Sequence, residues 1–446
     1  MEPLTPIAPA TSRAAVIAAV LCFGIAGSSH ASSIDGFVKN FFIVQRLPGY
    51  DPAVPGGEVP PARTLVANSL RARLSAGFNP RDWTSLDFAY ELAPRWQNDD
   101  FALLQEELIA LNQPAYRVDD LDPVLLPRDP GAGDNFIVTQ NLDRASVMLS
   151  APAFDFIIGR QAVAWGSARS INPTDVIAPF LLTEIDTENR IGVDAFRLRA
   201  PTGQLGEIDV GYVAGANLDI KKSAVYARGR FYQWQTDIAL IAMRFREHDM
   251  IGVDVVRSIA GAGTWLEAAT VFLKDAPPPS DVEHEVFERD HYTRVSAGLD
   301  YGLGNGTYLF AEYHFNGAGV SDPADFRYVQ VSPAVSDAAV FLFGRHYVIP
   351  GVTWPATPLW TIAVSGFVSL TDGSVLASPL VEYNVSDNFY LAAAAFLGIG
   401  ERPVYDPPDS QSLSRDAVLV DPLAVDYRSE FGTYPKTYYA ELRYYY

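Results

Sequence analysis

Apolar and polar residues alternate with a period of two along most of the chain, and the connectors between alternating segments are short and long in turn. In "SLRARLSAGF", Ser69, Arg71, Arg73 and Ser75 share one face, and Leu70, Ala72, Leu74 and Phe78 the other. "TRVSAGLDY" sets Arg294, Ser296 and Asp300 against Val295, Ala297, Leu299 and Tyr301, and "GEIDVGYVAG" separates Glu207 and Asp209 from Ile208, Val210 and Tyr212. Side chains of an extended strand point alternately to its two faces, so each segment reads as a strand with one wet and one apolar side. From 37–46 to 436–446 we count about eighteen strands, within a range of 16–18, a size typical of membrane barrels.

Connector parity decides between a soluble sandwich and a barrel in a membrane. "NPRD", "APA", "PTGQ", "AGAG", "LGNG" and "VSDN" are turns, whereas the intervening connectors hold the long insertions 47–63, 98–134, 164–189, 275–290, 317–344 and 399–434. A sandwich has no reason to keep that order. A transmembrane barrel has short periplasmic turns on one side and long extracellular loops on the other. The expected fold is therefore all-β: an antiparallel up-and-down transmembrane barrel, one domain spanning 32–446, with both termini periplasmic.

The N-terminal segment agrees with export. Arg13 precedes an apolar run, Ala14 to Gly27, too short to span a bilayer with margin, and "SSHA" places cleavage of a signal peptide, 1–31, after Ala31. That removes Cys22, the single cysteine, so the mature chain is expected to have no disulfide and no thiolate metal site. The net charge is −20; loss of Glu2 and Arg13 leaves it unchanged, and such acidity argues against a nucleic-acid partner. Mean hydropathy is slightly positive although no later window approaches an apolar helical span, which is what alternation produces.

Two aromatic features fit a membrane environment. Trp83, Trp234, Trp265 and Trp360 fall beside expected periplasmic turns, where indole suits the membrane interface. In "KTYYAELRYYY", Tyr438, Ala440, Leu442, Tyr444 and Tyr446 share an apolar, lipid-directed face. Tyr438, Leu442, Tyr444 and Tyr446 are similar to the C-terminal signature read by the barrel-assembly machinery. Outer-membrane lipid, that machinery and a small solute are the expected partners, with oligomeric state open.

The most distinctive segment is "FIIGRQAVAWGSARSINPTDVIAPFLLTEID", Phe156 to Asp186. Its pattern "GRQ…WG…INP.D" (Gly159, Arg160, Gln161, Trp165, Gly166, Asn172, Pro173 and Asp175) resembles a largely uncharacterised family of proteobacterial outer-membrane porins, and more distantly the alginate-export barrels. The opening "DGFVKNFF" is of the kind that begins such barrels. The resemblance implies a single-chain barrel with a channel function and transfers no substrate. Gly166-Ser167-Ala168-Arg169 departs from it where an acid is expected near the tryptophan.

From its residues alone, loop 164–189 is expected to form a constriction or plug. It carries Asp175, Glu184, Asp186 and Glu188, opposed by arginines of lumen parity: Arg71, Arg73, Arg197, Arg199, Arg228 and Arg230. Facing acids and arginines would set a transverse field across an aqueous pore. Phe101 to Asn112 has helical spacing and is expected to lie at the mouth, while the acidic run 281–290 reads as a solvated loop rather than a metal site. Ser167 lacks the setting of a hydrolase nucleophile, and His314 with Glu312 reads as a buried polar pair in the wall. No catalytic residue, metal or cofactor is expected. The functional expectation is passive diffusion of small solutes, with a plugged transporter for hydrophobic compounds or a sheath for a periplasmic partner as rivals.

Overall fold

The computed structural model describes residues 32–104, 114–127, 134–274, 284–337, 339–406 and 420–446. The segment 1–31, expected to be a signal peptide, lies outside them, as do parts of the loops discussed above.

Eighteen long strands form the wall. In chain order they are β1 (Ser32–Arg46), β2 (Thr64–Arg81), β3 (Thr84–Gln97), β4 (Phe136–Ala151), β5 (Phe154–Gln161) and β6 (Val193–Thr202). Then come β7 (Gly206–Val213), β8 (Ala224–Gln233), β9 (Thr236–Phe245), β10 (His248–Ile259), β11 (Ala262–Phe272) and β12 (His291–Gly302). β13 (Tyr308–Asn316), β14 (His346–Pro355), β15 (Trp360–Ser369), β16 (Val375–Ser386), β17 (Phe389–Ile399) and β18 (Lys436–Tyr445) complete the wall. Each pairs antiparallel with its sequence neighbours, and β1 closes the ring against β18, in register from Phe37↔Tyr445 to Arg46↔Lys436. Closure leaves no free edge and satisfies the backbone within the wall, which a lipid environment requires.

The alternation sorts as the pattern requires. Leu240, Ile251, Leu266 and Leu299 stand exposed on the outside, while Ala239, Met250, Glu267 and Asp300 are buried on the inside. At Trp234–Gln235 and Ala260–Gly261 both turn residues have positive φ, the backbone that matches the twist of tight hairpins. Every second connection is a short turn and these gather at one end; the other end carries the long connections together with two short ones, Arg246–Glu247 and 370–374. There a small sheet ties three loop segments together: Asp51–Pro52, Val404–Tyr405 and Val425–Asp426.

The tryptophan expectation needs one correction. Trp83, Trp234 and Trp360 are exposed at the turn end, but Trp265 is only 5% exposed and points inward. It shares the parity of Glu267; its indole N–H donates to Glu312 at 3.0 Å and the Arg169 guanidinium lies 5.1 Å from its ring. Only the first part of the expected mouth helix is described. Asp99–Leu103 is helical, with Asn98 capping Phe101, and 105–113 lie outside the described residues. No helix among the described residues is long and apolar enough to cross a membrane.

Candidate functional site

The connection between β5 and β6, residues 162–192, folds into the barrel and spans it from one wall to the other. Its entry is set by Gly159, whose φ is +109° and whose place no Cβ could share, since the Ala145 carbonyl oxygen would lie 2.3 Å away. Beyond that kink Arg160 is buried, bonded to Asp194 at 2.8 Å and Asp120 at 2.7 Å, and to the carbonyls of Asp119 and Leu142. Gln161 is buried beside it. The loop then folds on itself. Trp165 donates its indole N–H to the Thr174 carbonyl at 2.9 Å and packs 4.7 Å from the Tyr226 ring. Gly166, at φ +114°, turns where a Cβ would meet Asn172 Oδ1 at 2.4 Å, and Asp175 N bonds Asn172 O across Pro173.

One wall holds this folded half by its backbone. Glu267 on β11 is fully buried and accepts from Thr174 N at 2.9 Å, Thr174 Oγ1 at 2.6 Å, Ser167 N at 3.1 Å and Ala168 N at 3.2 Å. Glu312 on β13 accepts from Arg169 N at 2.8 Å and Ile171 N at 3.1 Å. Asp254 on β10 accepts a hydrogen bond from the Ser167 hydroxyl, and Arg169 pairs with Asp300 of β12 at 2.6 Å. In the other direction Arg294 donates to Pro173 O at 2.9 Å and Ser296 to Ile171 O at 2.6 Å. Hydrogen bonds to charged groups contribute about 1.5–3 kcal/mol each, so two carboxylates filled with backbone donors fix the loop firmly. Ser167 is thereby a tether. His314 bonds Ser296 rather than Glu312.

The opposite wall holds the far end by charge. Asp186 sits between Lys39 at 3.0 Å and Arg71 at 2.7 Å, and Lys39 also pairs with Glu188. Tyr445 donates to Glu188 at 2.8 Å. Arg71 continues to Glu91 at 2.8 Å; Arg73 joins Glu91 and Asp143, each at 2.6 Å. Burial favours the neutral form of Asp186, but the Arg71 and Lys39 charges outweigh it and hold its carboxyl below the usual aspartate value.

The nine expected filter residues thus fall into separate groups. Arg71, Arg73 and Asp186 belong to the network just described. Asp175 is buried inside the loop against Arg190 at 3.2 Å, with Arg294 of β12, not one of the six expected arginines, as the wall charge acting on it, and burial pushes its carboxyl up to about 6. Glu184 accepts from Leu181 N at 3.0 Å, its carboxyl raised by burial. Arg197, Arg199, Arg228 and Arg230 stand on β6 and β8, interleaved by Glu207 and Asp209 of β7. Arg197 grips Asp209 at 2.5 Å, Arg199 lies 3.8 Å from Asp155, and Arg230 is exposed. A vestibule of about 590 Å³ opens on the loop side, walled by Val176, Phe180 and Leu181 and floored by Arg71, Glu91 and Asp186.

Three residues central to this arrangement were not singled out from sequence. Lys39 alternates with the buried Phe37 and Phe41, a signal of lumen parity available in "DGFVKNFF". Glu267 is a lone charge in the apolar run "TWLEAATVF", and Glu312 alternates with His314, which points to a pairing within the wall and not to the loop. What they hold depends on the path of a loop, and period two is silent on that.

No protein-family model matches the chain, and no curated protein does either. Solved structures do. Acinetobacter baumannii OccAB2 superposes with a TM-score of 0.51 over 93% of this chain and 98% of its own, at 8% identity. Pseudomonas aeruginosa OccK2 (OpdF), solved in complex with glucuronate, gives 0.51 over 94% and 99% at 9% identity, and OccD3 (OpdP) 0.50 over 94% and 92% at 9%. The fold is that of the Occ/OprD outer-membrane porins. At such identities the match is one of architecture, and the strap and its anchors are read from this chain alone.

Proposed function

We propose that the chain is an outer-membrane channel through which small polar solutes diffuse passively, with the strap 162–192 as its filter. The observation that carries this reading is a charged lumen crossed by a loop anchored at both walls. It has a vestibule on the loop side and exposed charges, Arg230 and Asp237, towards the turns. A hydrated, charged passage lowers the desolvation cost of crossing while the wall charges bias which solutes enter. The glucuronate bound to OccK2 suggests the substrate class. A small hydroxylated carboxylate is of a size to enter the vestibule and meet Arg71 and the arginines of β6 and β8. Export by the signal peptide, insertion by the barrel-assembly machinery and periplasmic termini belong to the same reading. The test is conductance in planar bilayers. Purified protein should give discrete current steps, and glucuronate should reduce the ion current more than neutral glucose does. A folded barrel that conducts nothing would overturn the proposal.

A further inference from the structure

At the loop end of the β1–β18 seam, strand register sets two cations side by side. Arg46 and Lys436 are directly paired residues of β1 and β18, and both are exposed. Opposed residues of one sheet face have Cβ atoms about 4.5–5.5 Å apart, and like charges placed so are unfavourable by themselves. A third cation joins them. Arg402 lines the same groove of about 270 Å³, whose other walls are Leu47, Pro48, Ile399 and Tyr434 and whose lining includes no acid. Among the described residues none of the three cations forms an ion pair, in a chain whose net charge is −20.

The backbone presents Arg402 there by close approach. A Cβ on Gly432 would lie 1.9 Å from the Glu401 carbonyl oxygen, and one on Gly398 2.3 Å from that of Phe431, so main chain packs on main chain beneath the groove. Below it the outer wall is apolar. Phe42, Ile399 and Tyr438 are exposed large hydrophobics on β1, β17 and β18. The groove therefore stands where an apolar wall gives way to cations, the level of lipid headgroups in the leaflet on the loop side.

We propose that Arg46, Arg402 and Lys436 bind the phosphate group of a lipid in that leaflet. Two guanidinium forks and an ammonium suit a tetrahedral oxyanion, and the acyl chains would lie along Phe42, Ile399 and Tyr438. The site goes beyond the channel reading and rests only on its membrane location.

The test uses full-length mature protein in non-ionic detergent, offered a phosphomonoester glycolipid, its dephosphorylated counterpart, or the glycolipid with an equal concentration of inorganic phosphate. Retained lipid is read by native mass spectrometry. Wild type should retain the phosphorylated lipid, and Arg46→Gln/Arg402→Gln/Lys436→Gln should retain roughly a hundredfold less, given the attraction each basic residue adds at an anionic surface. The dephosphorylated lipid should be retained poorly by both, and Lys221→Gln/Lys222→Gln, at another part of the same rim, should match wild type. Equal retention by wild type and the triple variant would overturn the site, as would an equal loss in the Lys221/Lys222 control. Displacement of the lipid by equimolar inorganic phosphate would make it a free-anion site and overturn the lipid assignment. Heat-modifiable gel mobility checks that the variant folds, which it should, because the substitutions relieve an opposed like-charge pair. Its conductance should equal that of wild type, so this inference and the channel reading fail separately.

Discussion

Lys39 is 1% exposed, yet its ammonium holds two carboxylates of the strap, Asp186 and Glu188, above the Phe37 ring at 4.3 Å. Replacing it with Met would leave Arg71 as the cation beside Asp186, and Glu188 with the neutral Tyr445 hydroxyl in place of a cation. Lys39→Met should therefore shift the reversal potential towards cations, and Asp186→Asn, which strips the counter-charge from Lys39 and Arg71, towards anions. Both shifts should shrink as salt rises, because the Debye length falls from about 10 Å at 0.1 M to about 3 Å at 1 M. Salt-independent shifts, or shifts of the same sign, would count against an electrostatic filter here. The inward parity of Arg71 and Arg73 was legible in the alternation. Which of the loop acids expected to oppose them would do so was not: Asp186 reaches Arg71 while Asp175, eleven positions earlier, is turned into the loop against Arg190. The difference lies in the fold of residues 165–175, whose spacing carries no period.

Among the elements, the strands were the most legible, because a one-residue slip would reverse every face and so the pattern has to be consistent. Trp265 marks the limit. Its depth beside a turn was readable, but an indole suits both an interface and a polar lumen, and only its parity with Glu267 settles the face. The last strand supplies a test of closure. Gly36 and Tyr446 exchange both backbone hydrogen bonds at 3.1 Å, and the Tyr446 hydroxyl reaches Arg73 O at 3.0 Å. Tyr446→Asp should lower the yield of folded, heat-modifiable barrel in the outer membrane several-fold, while Tyr446→Phe, which keeps the ring and the backbone bonds, should not; equal yields from both variants would separate this face from assembly. The loops offer a pH test. Glu430 is fully buried and accepts from Phe343 N at 3.0 Å, Gly344 N at 3.2 Å and the Tyr347 hydroxyl, latching segment 420–435 to segment 339–345. Burial pushes its carboxyl up to about 7 from an ordinary 4.5. The folded state then holds the proton more tightly than the unfolded state between those values. Stability from this group is full below about 4.5 and is lost as pH rises towards 7. With the intrinsic, base-catalysed exchange rate divided out, the amide protection of residues 339–345 should fall across that window in wild type and stay constant in Glu430→Gln.

For the whole molecule, the arrangement amounts to a barrel with a tie across it, fastened by backbone-filled carboxylates on β11 and β13 and by cations on β1 and β2. The two fastenings differ in kind, and they share no residue. A tie held at both ends loses little freedom-restricting power when one end is cut, since the other still confines it to the lumen. Conductance should therefore respond cooperatively. Glu267→Ala orphans three backbone N–H groups and a hydroxyl, at about 1–3 kcal/mol for each group that finds no water. It should raise single-channel conductance modestly, as should Lys39→Met/Arg71→Met alone. The combined variant should exceed the sum of the two increments and lose most ion selectivity, with an unchanged heat-modifiable barrel, because the eighteen-strand ladder of closed pairings does not depend on the tie. Sites on opposite walls would ordinarily contribute independently, so the excess over additivity is the signature of a shared mobile element. Strictly additive increments would mean that the two walls act on separate parts of the lumen, and the strap would then not be the element that limits flow.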